Sequence, residues 1–115
     1  MEAIAYSRYQ RYGRRKVGQV LDEIRGKSVQ SAQQLVLMVP RRSAEVVGKT
    51  IMSAAANLSV KLGQKVDLNS IWVKSAWADK GPMKQLKRVQ PGPQGRAMPF
   101  KRKMCHITVV VTDNK

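Results

Sequence analysis

The sequence predicts an α+β domain, with helices grouped in its first half and strands mainly in its second. Three consecutive stretches within residues 14–62 repeat apolar side chains every three or four positions, as amphipathic helices do. Residues 68–78 alternate apolar and polar side chains, and residues 106–112 are almost continuous in β-branched residues. A chain of 115 residues is the right length for one such domain, residues 1–115.

Each predicted helix has its own start or stop signal. The first, residues 14–25, ends at Gly26, which can adopt the left-handed conformation of a helix C-terminus. The second begins after Ser28, a residue type favoured at N-caps. The third covers residues 41–62 and ends at Gly63. The apolar stripes predicted for the three helices are Val17, Val20, Leu21 and Ile24; Ala32, Leu35, Val36 and Val39; and Ala44, Val47, Ile51, Ala54 or Ala55, Leu58 and Leu62.

Strand periodicity assigns side chains to faces. A short strand is expected over residues 2–9. In the strand predicted over residues 68–78, the period of two places Ile71, Val73 and Trp77 on one face. We therefore expect that face to pack against the helices.

The sequence does not decide which tryptophan, or which valine of the last strand, faces the core. Trp72 and Trp77 are an odd number of residues apart, so we expect them on opposite sides, one in the core and the other free to contact a partner. In the last strand, the alternation leaves open whether Val109 or Val110 faces the core.

Residues 79–103 predict one long β-hairpin, because their apolar residues are sparse and Pro91-Gly92 fits the centre of a type II turn. The tip is expected near residues 91–93. Arms of about eleven residues, at about 3.3 Å each, would reach roughly 35 Å. A two-stranded ribbon without an apolar face is marginal alone, so we expect a partner to order it.

The charge predicts what that partner is. Lysine and arginine total 22 against 7 acidic residues, a net charge of +15 that favours an anionic partner. Residues 80–103 contain eight basic residues and no acid, and a second basic cluster spans residues 8–16. Cations at 41–42 would oppose the dipole of the third helix, which suggests phosphate contact. The predicted nucleic-acid surface comprises Arg8, Arg11, Arg14, Arg15, Lys16, Arg41, Arg42, Lys84, Lys87, Arg88, Arg96, Lys101, Arg102 and Lys103.

Three tyrosines at intervals of three, Tyr6, Tyr9 and Tyr12, lie among these arginines. They are placed either to interleave with phosphates and bases or simply to pack against the domain. The sequence leaves both roles open.

Catalytic and membrane functions find no support in the residue pattern. His106 is the only histidine, and its neighbour Cys105 would point to the opposite face of a strand, so the two form neither a dyad nor a metal site. A single cysteine forms no internal disulfide and suits a reducing compartment. The longest apolar runs are far shorter than the ~20 residues of a membrane span. We expect no enzyme, cofactor or metal.

Six short stretches resemble, in order, the family of the bacterial-type ribosomal large-subunit protein twenty-two. They are RKV (residues 15–17), IRGKSV (24–29), SAAAN (53–57), DKGP (79–82), GRA (95–97), and KR with HITVVV (101–102 and 106–111). The resemblance covers nearly the whole chain.

The resemblance implies three helices packed on a three-stranded antiparallel sheet, with a long protruding hairpin at residues 79–103. It also implies a protein that binds large-subunit (23S-type) rRNA and other large-subunit proteins, aids assembly of that subunit, and lines the nascent-peptide exit tunnel. The hairpin tip facing the nascent polypeptide would be Gln90, Pro91, Gly92 and Pro93, where the usual basic residues are replaced. The implied location is the cytoplasmic large subunit, with an organellar ribosome left open.

A second hypothesis from the residues is a stand-alone basic DNA-binding architectural protein. DNA-reading ribbons usually belong to symmetric dimers. The sequence offers no exposed apolar seam for one, so the RNA-binding hypothesis is preferred.

Overall fold

A computed structural model describes residues 1–82 and 87–113 of the chain, and it confirms the α+β class. Short 3₁₀ turns lie at Leu68–Ser70 and Pro93–Gly95. The helices and strands of the described residues are β1 (Glu2–Gln10), α1 (Arg14–Ile24), α2 (Val29–Met38), α3 (Ser43–Leu62), β2 (Trp72–Lys80), β3 (Lys87–Pro91), β4 (Ala97–Lys101) and β5 (Cys105–Thr112).

The predicted ends of α1 and α3 and the predicted start of α2 are confirmed by their caps, whereas α3 begins at Ser43, two residues later than predicted. Gly26 and Gly63 have φ of 76° and 71°, the left-handed conformation expected after α1 and α3. The hydroxyl of Ser28 accepts a hydrogen bond from the backbone N–H of Ser31 at 3.3 Å and caps α2. Gly48 lets α3 pack closely against α2, because a Cβ at residue 48 would lie 3.1 Å from Val36 Cγ1 of α2.

The three-stranded sheet has the order β1-β5-β2, and both pairings are antiparallel. The three helices cover one face, where Ala3, Ala5 and Val73 join the odd-numbered residues of β5 in the core. Val109 is fully buried in this core, whereas Val110 lies on the other face of the sheet. The alternation left open by the sequence is thereby resolved in favour of Val109.

The predicted start of β2 and the predicted alternation of its side chains are both wrong. Leu68–Ser70 is a 3₁₀ turn rather than strand, and it begins with Asp67 Oδ1 accepting from the N–H of Asn69 at 3.1 Å. In the ladder with β5, Val73 pairs with Val111 but Ser75 pairs with Val110, so Lys74 is an extra residue. Such a bulge reverses the alternation that follows it.

The bulge changes where the tryptophans lie. Ala76 becomes buried, and Trp77 turns to the face opposite the helices, where it is 40% exposed. Trp72 pairs with Thr112 on that same outer face. The two tryptophans therefore share a side of the sheet, and neither belongs to the core.

The free edge of β1 is covered by side chains of α3. Asn57 Nδ2 donates to the carbonyl oxygen of Ile4 at 2.9 Å, and Lys61 Nζ donates to that of Glu2 at 2.8 Å. These bonds occupy acceptors that another strand would use.

The free edge of β2 is covered by the segment between α1 and α2. Arg25 Nε donates to the carbonyl oxygen of Ala76 at 2.7 Å. The Val73 N–H donates to Lys27 O, and the Gly26 N–H donates to Val73 O, both at 2.9 Å. Both outer strands of the sheet thus have backbone groups already paired.

The hairpin extends from the β2–β5 end of the sheet. Five residue pairs join β3 to β4, from Lys87↔Lys101 to Pro91↔Ala97. The molecule measures 64 × 26 × 17 Å, and its radius of gyration is 17.3 Å. A compact chain of this length would have about 13 Å, so the shape is strongly elongated.

The turn at the tip differs from the predicted type II turn. Gly92 is extended (φ −112°, ψ 179°), and its N–H donates to Arg96 O at 2.6 Å to close the loop of residues 92–96. Gln94 and Gly95 adopt the left-handed conformation instead, with φ of 58° and 72°. Gln90 and Pro91 consequently belong to β3, and the end of the hairpin is shifted toward residues 93–95.

Candidate nucleic-acid interface

An open cationic cavity of about 710 Å³ lies where the hairpin meets the body. We call it the cationic cavity. Three parts of the chain line it: the β1–α1 connection with the first turn of α1, the end of β2, and the segment between β4 and β5. Its lining residues are Arg11, Gly13, Arg14, Arg15, Lys16, Lys80, Arg102, Lys103 and Met104.

One wall of the cationic cavity is the start of α1. Its N-cap residue is Gly13, and the first turn carries Arg14, Arg15 and Lys16 but no acidic residue. The first N–H groups of a helix lack intrahelical acceptors, and the helix dipole adds positive potential there. Cations at this end raise that potential further, which favours an anion.

The opposite wall comes from the base of the hairpin. Lys80 ends β2, and Arg102 and Lys103 follow β4. The Gly81 N–H donates to Met104 O at 2.8 Å and holds the two arms together. A Cβ at residue 81 would lie 3.3 Å from backbone atoms of Met104, so glycine allows this close approach.

The cationic cavity has seven positive side chains and no acidic one among its lining residues. Four of the seven acidic residues form ion pairs elsewhere: Arg25–Asp22, Lys49–Glu45, Lys74–Glu2 and the N-terminal amine with Asp113. None of these pairs includes a cation of the cavity. Like charges held this close repel one another unless a polyanion binds among them.

The structure brings together part of the predicted surface. From the N-terminal cluster, all but Arg8 line the cationic cavity, and Arg102 and Lys103 join them. Arg8 lies instead over the ring of Tyr6, with its guanidinium carbon 4.9 Å from the ring centroid. Arg41 and Arg42 are exposed just before α3 and are not part of the lining.

The remaining predicted cations belong to the hairpin. Arg88, Arg96 and Lys101 are exposed along its arms and tip. Lys87 begins β3, and Lys84 lies outside the described residues. These cations extend the positive surface outward from the cavity.

Sequence reasoning missed Lys80 as a site residue, although it begins the basic run. Only the pairing of β2 with β5 places Lys80 at the site. Lys80 pairs with Cys105 and so lies beside the chain segment of Arg102 and Lys103. Gly13 and Met104 were missed for the same reason.

Cys105 and His106 lie on opposite faces of β5. Cys105 is buried in the core, and burial raises the pKa of its thiol, although a hydrogen bond with the Tyr12 backbone acts in the opposite direction. His106 lies on the outer face, where its Nδ1 accepts from the N–H of Tyr9 at 3.0 Å. Across residues 1–82 and 87–113, no group of three or more His, Cys, Asp or Glu side chains could hold a metal. No helix in the described segments is long and apolar enough to cross a membrane.

A family model described as "Ribosomal protein L22p/L17e" matches residues 5–112, which include every cation of the cavity. The chain belongs to the Ribosomal protein L22p/L17e family. The resemblance seen in the sequence is thereby confirmed.

Several relatives in this family are similar over nearly their full length. "Large ribosomal subunit protein uL22" of Endomicrobium trichonymphae is 41% identical over 113 residues, which cover 98% of this chain and 93% of the relative. The protein of that name from Pelotomaculum thermopropionicum is 42% identical, covering 100% and 98%. The one from Clostridium tetani is 41% identical over the whole of both chains.

Proposed function

We propose that this chain is a structural constituent of the large ribosomal subunit, with no catalytic role. It binds large-subunit rRNA, contacts other large-subunit proteins and assists assembly of the subunit. The bacterial relatives support a place in the cytoplasmic ribosome. The observation that carries the proposal is the cationic cavity, because its seven cations suit the regularly spaced phosphates of an RNA backbone.

The cationic cavity joins the body to the hairpin. Arg14 and Arg15 come from a helix of the body, whereas Arg102 and Lys103 come from the hairpin base. A phosphate between these walls would neutralise cations from both at once. RNA binding at this position therefore fixes the hairpin relative to the body.

The hairpin itself suits a wall of the exit tunnel. Its exposed arms carry Arg88 and Lys101, whereas residues 92–95 at the tip contain no charged side chain. Phosphates would hold the arms, and the uncharged tip would face the space through which nascent polypeptides pass. The uncharged residues 92–95 offer little attraction to acidic nascent segments, and Arg96 follows them at the start of the returning arm.

The rRNA-binding role is tested by reversing charges at the cavity. Arg14→Glu combined with Arg15→Glu should weaken binding to large-subunit rRNA fragments by at least about tenfold and reduce co-sedimentation with salt-washed large subunits. Glutamate in the first turn of α1 favours the helix dipole, so the loss would not reflect unfolding. Lys65→Glu, an exposed reversal away from the cavity, is the control and should bind almost normally.

Unchanged binding of the double variant would contradict the cavity as the rRNA site. Duplex DNA that competes as well as rRNA fragments would favour the DNA-binding alternative. Recovery of the native protein from cells with no large-subunit rRNA bound to it would also favour the DNA-binding alternative.

The tunnel role needs a separate test at the tip. Replacing residues 92–95 by Asn-Gly, which keeps Arg96, should leave incorporation into large subunits nearly normal but alter stalling on an arrest peptide or sensitivity to tunnel-binding antibiotics. Arg96→Glu with Arg102→Glu should instead impair assembly, because each reversed charge would meet phosphate. The reverse pattern, with assembly blocked only by the tip replacement, would overturn this division of roles.

A further inference from the structure

The sheet has one face covered by helices and one face open. On the open face, cross-strand neighbours form rows, and one row places Tyr6 and Trp77 on either side of Thr108. The backbones that carry these two rings lie two strand spacings apart, or about 10 Å. The next row toward the hairpin contains His106, with Tyr9 packed against it. We call Tyr6, Tyr9, Trp77 and His106 the ring platform.

The rings of the platform are exposed yet held in place. Tyr6 and Tyr9 are 57% and 63% exposed. Trp77 Nε1 donates to Asp79 Oδ2 at 3.1 Å, which fixes the indole plane. The Tyr9 ring meets His106 edge-on, with centroids 4.9 Å apart and planes at 83°. Large rings held in this way contact a partner with little loss of conformational entropy.

Several backbone groups at both edges of the sheet are already bonded to Asn57, Lys61, Arg25 and the α1–α2 connection, which opposes addition of a strand by a partner. Contact through side chains on the face is therefore favoured. Flat aromatic rings at this spacing favour flat groups that stack.

The charge around the platform indicates which flat groups these are. At the end far from the hairpin, Glu2 pairs with Lys74 and the N-terminal amine with Asp113. At the platform end, the carboxylate of Asp79 accepts from Trp77 Nε1, and Arg8 lies over Tyr6. Each strand runs directly into the cationic cavity, β1 through Arg11 and β2 through Lys80, so cations outnumber Asp79 there. A polyanion in the cavity thus has a continuous path to the rings.

We infer that the ring platform stacks unpaired RNA bases whose backbone continues into the cationic cavity. The inference rests on the proposed rRNA-binding function and extends it from phosphate contact to recognition of single-stranded nucleotides. Every base has a flat face, so such stacking tolerates any sequence but requires unpaired strands. A protein partner at this face is the competing possibility that the test must exclude.

The test compares a single-stranded RNA of ten uridines with a ten-base-pair RNA duplex. In full-length Trp72→Phe protein, emission reports Trp77 alone, and the single strand should quench it whereas the duplex should not. Trp77→Leu should weaken binding of the single strand by roughly 5- to 150-fold, the worth of one stacked base. Its affinity for the duplex should stay within about twofold.

Two further variants complete the design. Tyr6→Ala should repeat the selective loss, so the result does not depend on one substitution. Leu37→Ala, which removes an apolar side chain that is 86% exposed on α2, is the control and should change neither affinity.

The outcomes separate the two proposals. If Trp77→Leu and Tyr6→Ala bind the single strand as tightly as the parent, the platform inference is wrong. The proposed function would still stand if charge reversal at Arg14 and Arg15 weakened binding of both the single strand and the duplex. If the parent binds neither RNA, the proposed function itself fails. Weaker retention of the platform variants in large subunits, with both RNA affinities unchanged, would assign the face to a protein.

Discussion

Two neighbouring valines of β5 face opposite sides of the sheet and test its orientation. Val109 faces the helices and is fully buried, whereas Val110 lies on the outer face and is 6% exposed. An aspartate at residue 109 would bury an unpaired carboxylate, which should destabilise the domain by about 4 kcal/mol or more. Val109→Asp should therefore lose its cooperative thermal transition.

Val110→Asp is the matched control for that variant. Val110 is shielded by its cross-strand neighbours, Ile4 and Ser75, and not by the helices, which pack on the opposite face, so the new carboxylate would lie close to solvent. We expect a cooperative transition at a modestly lower temperature. Equal damage from the two substitutions would contradict the assigned faces.

Cys105 reports whether the core stays closed. Its thiol is buried, and burial raises its pKa, so reaction with a disulfide reagent at neutral pH should be at least about 100-fold slower in the native protein than in denaturant. A Lys65→Cys variant in a Cys105→Ala background should react rapidly in the native state. Rapid labelling of native Cys105 would show that the core opens there.

The same thiol has a consequence for stability at high pH. The unfolded thiol ionises at a lower pH than the folded one, because the folded pKa is raised. The contribution of this group is therefore lost as pH rises past the unfolded pKa, and Cys105→Ala should reduce the decline in stability above that pH. Urea unfolding of both proteins at neutral and alkaline pH measures the difference.

At the scale of elements, the hairpin is expected to be independent of the body's stability. The side chains described between Arg88 and Phe100 are exposed or half-buried, and Val89 remains in solvent. Replacing residues 88–100 by Asn-Gly, between the paired Lys87 and Lys101, should shift the melting temperature by no more than about 3 °C. Loss of cooperative unfolding would show that the hairpin supports the core.

The helices could be predicted closely because their signals are local. Ser28 supplies its own cap, and Gly26 and Gly63 supply the left-handed stops. The periodic stripe of α1 needed no knowledge of its neighbours to identify its buried face. Most of the cationic cavity was predicted for a similar reason, since six of its seven cations were predicted from two basic clusters that are visible in the sequence.

The errors arose where pairing between distant segments decides the structure. The bulge at Lys74 depends on the register with β5 and moves Trp77 away from the core. The tip turn depends on the Pro91↔Ala97 pair, which leaves Gln94 rather than Gly92 to adopt positive φ. A second irregularity between Ser7 and Gln10, where Tyr9 has φ of 58°, directs the tyrosine toward His106. None of these registers is visible in a single segment.

At the scale of the whole molecule, the charge predicts strong dependence of RNA binding on salt. If about six to ten phosphates are neutralised, affinity for rRNA fragments should fall on the order of 10³- to 10⁵-fold between 50 and 200 mM salt. Arg14→Glu should reduce the slope of log affinity against log salt by about one. A nearly flat slope for the parent, measured by filter binding or anisotropy, would contradict phosphate contact as the main source of affinity.

In copies of the protein that are not bound to RNA, the covered sheet edges are expected to prevent aggregation. Asn57, Lys61 and Arg25 occupy backbone acceptors through which one copy could join the sheet of another, and the net charge of +15 keeps separate copies apart. A surplus of the protein should therefore persist as monomers whose sedimentation does not change with concentration. The side chains that cover the sheet edges would thereby keep surplus copies from aggregating before they are incorporated into ribosomes.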